Sequence, residues 1–204
     1  YMFINLETSP RVAAMGGNLI AVYDNDLSLT RTTPSLLNAS MNNQLVFSFT
    51  DYLSDINIIS FSYAREFNMI GVLSIDFKSI DYGSFELNNE FGENMGNFSA
   101  TDQIITLGIG RILNRSFSIG ANLSLLNSNY ESYNSLALSS NIATTYINMN
   151  KKMASTLILK NIGKQLNTYS NSEDLPFEMQ FAISKVLLHL PFRYHVSYNY
   201  INSF

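Results

Sequence analysis

Side chains able to do chemistry are few and scattered in this sequence. There is no cysteine, and the two histidines, His189 and His195, are six residues apart. Without thiolates or clustered histidines, the sequence predicts no metal site. His195 and Ser197 share one face of a predicted strand as a possible base and nucleophile, but no third residue is placed to orient the histidine. We therefore expect no catalytic residues, no cofactor and no enzymatic activity.

The acidic run Asp24–Asp26 resembles the start of a calcium-binding loop. Such loops need glycine at the sixth position and glutamate at the twelfth, where this sequence has Leu29 and Ser35. The run is therefore predicted to be a turn with an exposed acidic pair. Gly16–Gly17 does not follow a strand and lacks the spacing of a phosphate-binding loop.

Recognition chemistry is concentrated in a polar stretch from residue 80 to residue 102. Its candidate partner-binding residues are four aromatics among acidic residues and glycines: Tyr82, Phe85, Phe91 and Phe98. Aromatic anchors on an exposed loop fill pockets on protein partners. The alternative is that these aromatics fold the loop onto the structure beneath it, and the sequence leaves both interpretations open.

Strands with two unlike faces must position these residues. From Phe117 to Leu125, apolar residues alternate with Ser, Gly and Asn, which places Leu123 on an apolar face and Asn122 on a polar one. A strand of about ten residues can cross the hydrocarbon core of a bilayer. If it does so, arginine should be far better tolerated at Asn122 than at Leu123. About nine such segments recur along the chain, at 44–50, 57–66, 69–79, 103–112, 116–126, 134–149, 152–162, 178–187 and 193–201.

Short and long connections alternate between the predicted strands, apart from the first hairpin at 51–55. Short links fall at 66–68, 113–115, 150–151 and 188–192, and long polar links at 80–102, 127–133 and 163–177. Basic residues cluster near the short links and acidic residues in the long ones, so the two ends differ in electrostatic sign. Antiparallel strands with short turns at one end and long loops at the other are typical of outer-membrane β-barrels.

Composition favours the same class of protein. Only 14% of the residues are charged, against about 25% in soluble domains. A soluble β-sandwich or barrel is the alternative, but it would present charged side chains to water, whereas the polar faces here carry Ser, Gly, Asn and Thr. The sequence contains no run of about 18 apolar residues, so it predicts no transmembrane helix. The net charge of −4 gives no reason to expect a nucleic-acid partner. The first residue is Tyr1, which suggests that a signal peptide has been removed.

Residues 1–43 lack the two-residue period and are predicted to form a short, plug-like N-terminal segment that packs in or under the barrel. Within it, Pro10–Gly17 predicts a helical turn ended by glycine. The strands of residues 44–204 form the barrel itself.

Several runs resemble the PorQ family, an outer-membrane component of the type IX (Por) secretion system of Bacteroidota. The opening run Leu6–Gly17 is similar to that of the wider FadL-like and PorV-like barrels. More specific are the runs at 96–102, 160–165 and 175–178, followed by Lys185 and the residues from His189 to Arg193. The resemblance implies a FadL-like transmembrane antiparallel up-and-down barrel of about fourteen strands. Since about nine are visible, we expect the barrel to be incomplete at its C-terminal end.

The resemblance also implies a non-enzymatic function in the bacterial outer membrane. PorQ-like proteins are thought to anchor the surface protein PorZ, and through it the PorU/PorV attachment complex, which joins secreted cargo to lipopolysaccharide. The partners implied are therefore outer-membrane lipid and PorZ, with no nucleic acid. A FadL-like transporter of hydrophobic small molecules is the alternative. It would need an apolar path inside the barrel and an opening in the wall.

Overall fold

The computed structural model describes residues 1–131, 133–168, 173–187 and 189–201. Its nine antiparallel strands form one sheet whose spatial order follows the chain order. They are β1 (Gln44–Asp51), β2 (Asn57–Phe67), β3 (Gly71–Asn88), β4 (Asn94–Ile112), β5 (Phe117–Tyr130), β6 (Tyr133–Asn148), β7 (Met153–Asn167), β8 (Glu178–Val186) and β9 (Arg193–Ile201). The prediction of an all-β, up-and-down antiparallel fold is confirmed. In the part of the chain described here, β1 and β9 pair with one strand each, so the sheet is open at both edges.

The helices are short and all precede the sheet. One is an α-helix, α1 (Pro10–Ala14), and the others are 3-10 helices at Met2–Asn5, Leu27–Leu29, Pro34–Leu36 and Ala39–Met41. Among the described residues, none of these helices is long and apolar enough to span a membrane.

The sheet has an exposed apolar outer face and a buried inner face that is mostly polar but includes apolar residues such as Ile104 and Ile158. Neighbouring residues on β5 show the contrast, since Leu123 is 49% exposed and Asn122 is 5% exposed. Exposed outer-face residues, one from each strand, are Phe47, Ile59, Ile75, Leu107, Leu123, Ile142, Leu157, Phe181 and Val196. Buried inner-face residues include Ser62, Asp76, Thr106, Asn122, Asn141, Thr156 and Gln180. A water-soluble sheet has the reverse arrangement.

Residues 1–43 cover the inner face. The α1 helix begins after Ser9, whose hydroxyl accepts a hydrogen bond from the Val12 amide, and Pro10 occupies its first turn. Gly16 and Gly17, with φ of 85° and 83°, follow its end, as predicted. Apolar side chains of the segment then pack into a small core of their own: Val12, Leu19, Val22, Leu29 and Leu36.

Two glycines let the segment approach the sheet closely. A Cβ on Gly120 of β5 would lie 2.3 Å from the carbonyl carbon of Pro34, and one on Gly110 of β4 would lie 2.6 Å from the Pro34 oxygen. The two glycines are opposite each other in the β4–β5 register. Together they form a side-chain-free floor on which the Pro34–Leu36 helix rests.

The predicted long links at 80–102 and 127–133 are wrong, because strands continue through most of both, and the predicted link at 163–177 begins later than expected. β3 and β4 contain 18 and 19 residues, and only 89–93 connects them. Similarly, β5 runs to Tyr130, β6 begins at Tyr133 and β7 runs to Asn167. Polar side chains on both faces read as loop in the sequence, while main-chain pairing continues through them. Ser132, residues 169–172 and Leu188, which fall in three of the predicted links, and the last three residues of the chain lie outside the described residues.

The acidic run of the N-terminal segment forms the predicted turn and is closed by Arg11. The guanidinium group contacts Asp24 Oδ2 at 2.7 Å and Asp26 Oδ2 at 2.9 Å. The Ser28 amide also donates to Asp26 Oδ1 at 3.0 Å. Burial alone would raise the pKa of Asp26, but the hydrogen bonds from Ser28 and Arg11 outweigh it and lower that pKa.

We expect the attachment of α1 to weaken in acid. A carboxylate with a lowered pKa in the folded state stabilises that state above its ordinary pKa of about 4, and this stabilisation is lost as the pH falls through the lowered value. Limited proteolysis of residues 1–43 between pH 7 and pH 3 measures the effect. Asp26→Asn should flatten the pH profile, whereas Asp55→Asn, at an exposed turn, should leave it as in the wild type. A wild-type profile in Asp26→Asn would contradict this assignment.

Candidate functional site

The inner face binds main-chain carbonyl groups of residues 1–43. Lys78 of β3 is 2% exposed, and its ammonium group donates to the carbonyl oxygens of Phe3 at 2.9 Å, Ile4 at 3.3 Å and Leu6 at 2.9 Å. Three acceptors around one buried ammonium use all of its donors. This lysine therefore positions the first turn of the chain.

Three asparagines on neighbouring strands continue this attachment. The Asn141 amide donates to Asn122 Oδ1, and the Asn161 amide donates to Asn141 Oδ1, both at 2.8 Å. Their side-chain nitrogens point the other way, toward the carbonyl oxygens of Arg31 at 2.7 Å, Thr32 at 3.2 Å and Pro176 at 2.8 Å. Each asparagine thus joins the sheet to a segment lying on it.

His195 takes part in the same attachment. Its Nε2 accepts a hydrogen bond from the Ala21 amide at 3.3 Å, and the Ser184 hydroxyl donates to the Ala21 carbonyl. Ser197 is opposite Ala182, which is buried on the inner face, so the predicted shared face of His195 and Ser197 is confirmed.

Two buried side chains of opposite charge on the inner face pair with each other. Lys160 of β7 and Glu178 of β8 form a salt bridge of 3.1 Å, with side chains 9% and 10% exposed. Within the described ranges, no three side chains of the metal-binding types lie close enough to hold an ion.

The far end of β3 and β4 is a hairpin that rises beyond the rest of the sheet. We call residues 84–98 the β3–β4 extension. A bulge separates it from the sheet below, since the pairing shifts between Asp81 and Ser84, and Gly83 there has φ of 82°. From Ala100 onward, β4 also pairs with β5.

The bulge exchanges the polarity of the two faces. On β4 the alternation places Phe98 on the same face as Ala100 and Asp102, which is the inner face. Phe98 is opposite Phe85, and their rings stack with centroids 5.3 Å apart. The outer face of the extension carries Ser84, Glu86, Asn97 and Ser99. Below the bulge the apolar residues face outward, and above it they face inward.

The structure brings three of the four candidate aromatics into local contacts. Tyr82, beside the bulge, donates its hydroxyl to Asp102 Oδ2 at 2.6 Å, and its ring lies 6.0 Å from that of Tyr130. Asp102, expected in a long loop, is instead buried on β4, where hydroxyl groups surround its carboxylate. Phe85 and Phe98 form the stack described above. For these residues the folding role that the sequence left open is now visible.

Phe91 is the fourth candidate and differs from the others. It lies in the turn at the tip of the extension and is 87% exposed. Glu90 adjoins it, Glu86 and Glu93 flank the turn, and all three are exposed. The tip therefore presents a large aromatic side chain within an acidic surface, with Met95 also exposed nearby, which is the form of a protein-binding anchor.

No known protein-family model matches this chain, and no curated protein is significantly similar to it.

Sequence reasoning did not find the side chains that hold residues 1–43. Lys78 carries the one available signal, since it is a lysine at a polar-face position between Asp76 and Ile80 in an otherwise regular strand. A long cation at such a position needs acceptors on the inner face. The asparagines resemble the other small polar residues of that face and give no comparable signal.

Proposed function

We propose that this chain forms part of the wall of a transmembrane β-barrel in the bacterial outer membrane. The observation that carries the proposal is the exposed apolar outer face, repeated on nine strands over a buried polar inner face. Exposed apolar patches beyond a few hundred Å² mark binding or membrane surfaces. On β5 the apolar stretch runs from Phe117 to Leu125, close to the roughly nine to eleven residues that span a bilayer.

The polarity exchange at the Asp81–Ser84 bulge supports a membrane boundary at that height. An outward apolar face suits lipid, while an outward polar face suits water. Backbone groups along the free edges of β1 and β9 would have no partner in lipid. In the proposed membrane form, further strands therefore follow β9 and close the sheet against β1, up to the approximately fourteen that the PorQ and FadL-like resemblance implies.

Within that membrane, we propose a non-enzymatic role as the anchor of a surface protein. The PorQ resemblance suggests a PorZ-like partner in the type IX attachment complex, with PorU and PorV joined through it. The exposed tip of the β3–β4 extension is the proposed contact. An apolar pocket rimmed by basic side chains would complement Phe91 and its acidic neighbours.

The transporter alternative receives no support from a specific observation. Transport of hydrophobic molecules needs an apolar path along the inside of the barrel. Here the inner face is polar, and its side chains are hydrogen-bonded to residues 1–43. We therefore do not propose transport.

Partner binding is expected to depend on the β3–β4 extension. Above the bulge its strands pair only with each other among the described residues, so shortening 84–98 should release the partner while the sheet stays folded. Phe91→Ser should weaken partner binding about thirtyfold, as expected for loss of an anchor worth roughly 2 kcal/mol. Pull-down of a PorZ-like protein from detergent extracts measures the effect.

The matched control is Phe192→Ser. Phe192 is also exposed, at 63%, but it lies at the opposite end of the sheet. Its variant should recover the partner as the wild type does. Undiminished recovery of the partner by the shortened chain would refute the contact. Failure of both Phe91→Ser and Phe192→Ser to bind the partner would indicate a general loss of structure.

A further inference from the structure

A groove on the outer face, near the short turns, is a candidate binding site that the proposed anchor does not use. It has a volume of about 670 Å³, within the range of roughly 300–1,000 Å³ typical of small-molecule sites. The groove crosses β4 to β7, and the turn before β3 closes one end with Met69 and Ile70.

Small residues create the groove. Ala121 and Thr144 face outward on β5 and β6, between the larger Ile109, Ile142 and Leu157. Because the neighbours project farther, a depression forms between them. Its surface is almost entirely hydrocarbon, so a hydrocarbon chain fits its chemistry.

Arg111 gives the groove a polar end. It is opposite Ile119 in the β4–β5 register and contributes to the lining. Within the described ranges, no carboxylate lies within salt-bridge distance of its guanidinium group. A free guanidinium beside an apolar groove matches a phosphate joined to an acyl chain.

The position of the groove selects the source of that lipid. It lies at the end of the sheet that carries the short turns at 68–70 and 113–116, the end that faces the periplasm in outer-membrane barrels. The lipids of that leaflet are phospholipids. Strands in such barrels tilt by roughly 35–45°. A groove that crosses them therefore runs obliquely to the membrane plane, as does an acyl chain that extends from its headgroup into the bilayer.

We propose that this groove binds one anionic phospholipid, with an acyl chain over Ala121 and Thr144 and the phosphate at Arg111. The proposal rests on the membrane location proposed above, and not on the partner or on the β3–β4 extension. The bound lipid would fill a depression in the wall that side chains leave open.

Native mass spectrometry of the detergent-solubilised chain, titrated with phosphatidylglycerol, tests the proposal. The wild type should retain one lipid. Ala121→Phe fills the groove and should weaken retention by about tenfold or more. The control is Leu123→Phe, which enlarges the next outward residue on the same strand without touching the groove, and it should bind as the wild type does. Equal retention by the two variants would overturn the proposal.

The contribution of the Arg111 charge to lipid binding is tested separately. Arg111→Gln should lower phosphatidylglycerol binding about tenfold, through loss of a charge-assisted hydrogen bond, while Arg115→Gln in the adjacent turn should not. If Ala121→Phe does not fold, the wild type can be labelled with a phosphatidylglycerol carrying a photoreactive acyl chain. Labelled peptides from 109–121 and 142–159 support the site, and labelling confined to other strands overturns it.

Insertion into vesicles, measured by resistance to urea extraction, separates this proposal from the membrane location. A chain that is extracted contradicts the membrane location. A chain that stays inserted, but whose lipid retention is insensitive to Ala121→Phe, contradicts the groove alone.

Discussion

Leu123→Arg is expected to prevent stable insertion of the sheet into a bilayer. Leu123 is 49% exposed on the outer face, near the middle of the apolar stretch of β5. A charged side chain at the midplane of a barrel wall costs roughly 2–4 kcal/mol. Urea unfolding of the chain in lipid vesicles, followed by circular dichroism, measures the difference in free energy.

Asn127→Arg is the matched control for this prediction. Asn127 lies on the same face of the same strand, four residues on, or about 13 Å, and it is opposite the polar Gln103. Arginine there should cost only about 0–1 kcal/mol, as near a membrane interface. Equal losses at Leu123 and Asn127 would contradict the membrane-facing assignment of the outer face.

Asn122 is not the tolerant site that the sequence suggests. It is 5% exposed, accepts from the Asn141 amide and donates to the Arg31 carbonyl. Arginine at this position would displace the N-terminal segment. The expected tolerance at Asn122 is therefore lower than the sequence alone suggests, because residues 1–43 cover the polar face there.

Gly120→Val is expected to separate the Pro34–Leu36 helix from the sheet. The added Cβ would overlap main-chain atoms of Pro34 and Ser35, which cannot move as a flexible side chain does. Such overpacking costs about 3 kcal/mol where the backbone must shift. Faster proteolysis of residues 1–43 and a lower melting temperature in detergent are the expected results.

Ala121→Val is the control for this clash. It adds carbons at the neighbouring residue, on the face that does not contact residues 1–43. Its melting temperature should stay close to that of the wild type. Unchanged proteolysis of Gly120→Val would show that the glycine floor does not limit the approach of the segment.

Alternation along the chain predicted the strands where one face is apolar. For β5 the predicted range of 116–126 overlaps most of Phe117–Tyr130. The prediction succeeded because five alternating apolar residues all point to the same face of the strand. The same period failed between residues 80 and 102. There the bulge moves the apolar side chains to the other face, and polar residues and glycines are frequent, so the alternation of the strand below is interrupted.

The candidate site was predictable only in part. Composition marked Phe91 as one of four candidate aromatics among acids and glycines, but it did not show which of the four would be exposed. The stack of Phe85 and Phe98 depends on the shift of register at the bulge, which the sequence marks only by Gly83. The role of Lys78 depends on residues 3–6, more than seventy positions away in the chain.

The inner face holds residues 1–43 through their main chain as well as through apolar side chains, such as Ile20 and Leu37, that pack against the sheet. Lys78, Asn122, Asn141 and Ser184 all donate to carbonyl oxygens, which every amino acid carries. The identity of the side chains at Phe3, Leu6, Arg31, Thr32 and Ala21 is therefore of little consequence for these bonds. We expect that in divergent homologues the donating sheet residues persist, while segment residues that contribute only a carbonyl group change along the same path. A search for such relatives should weight the strands above the N-terminal run.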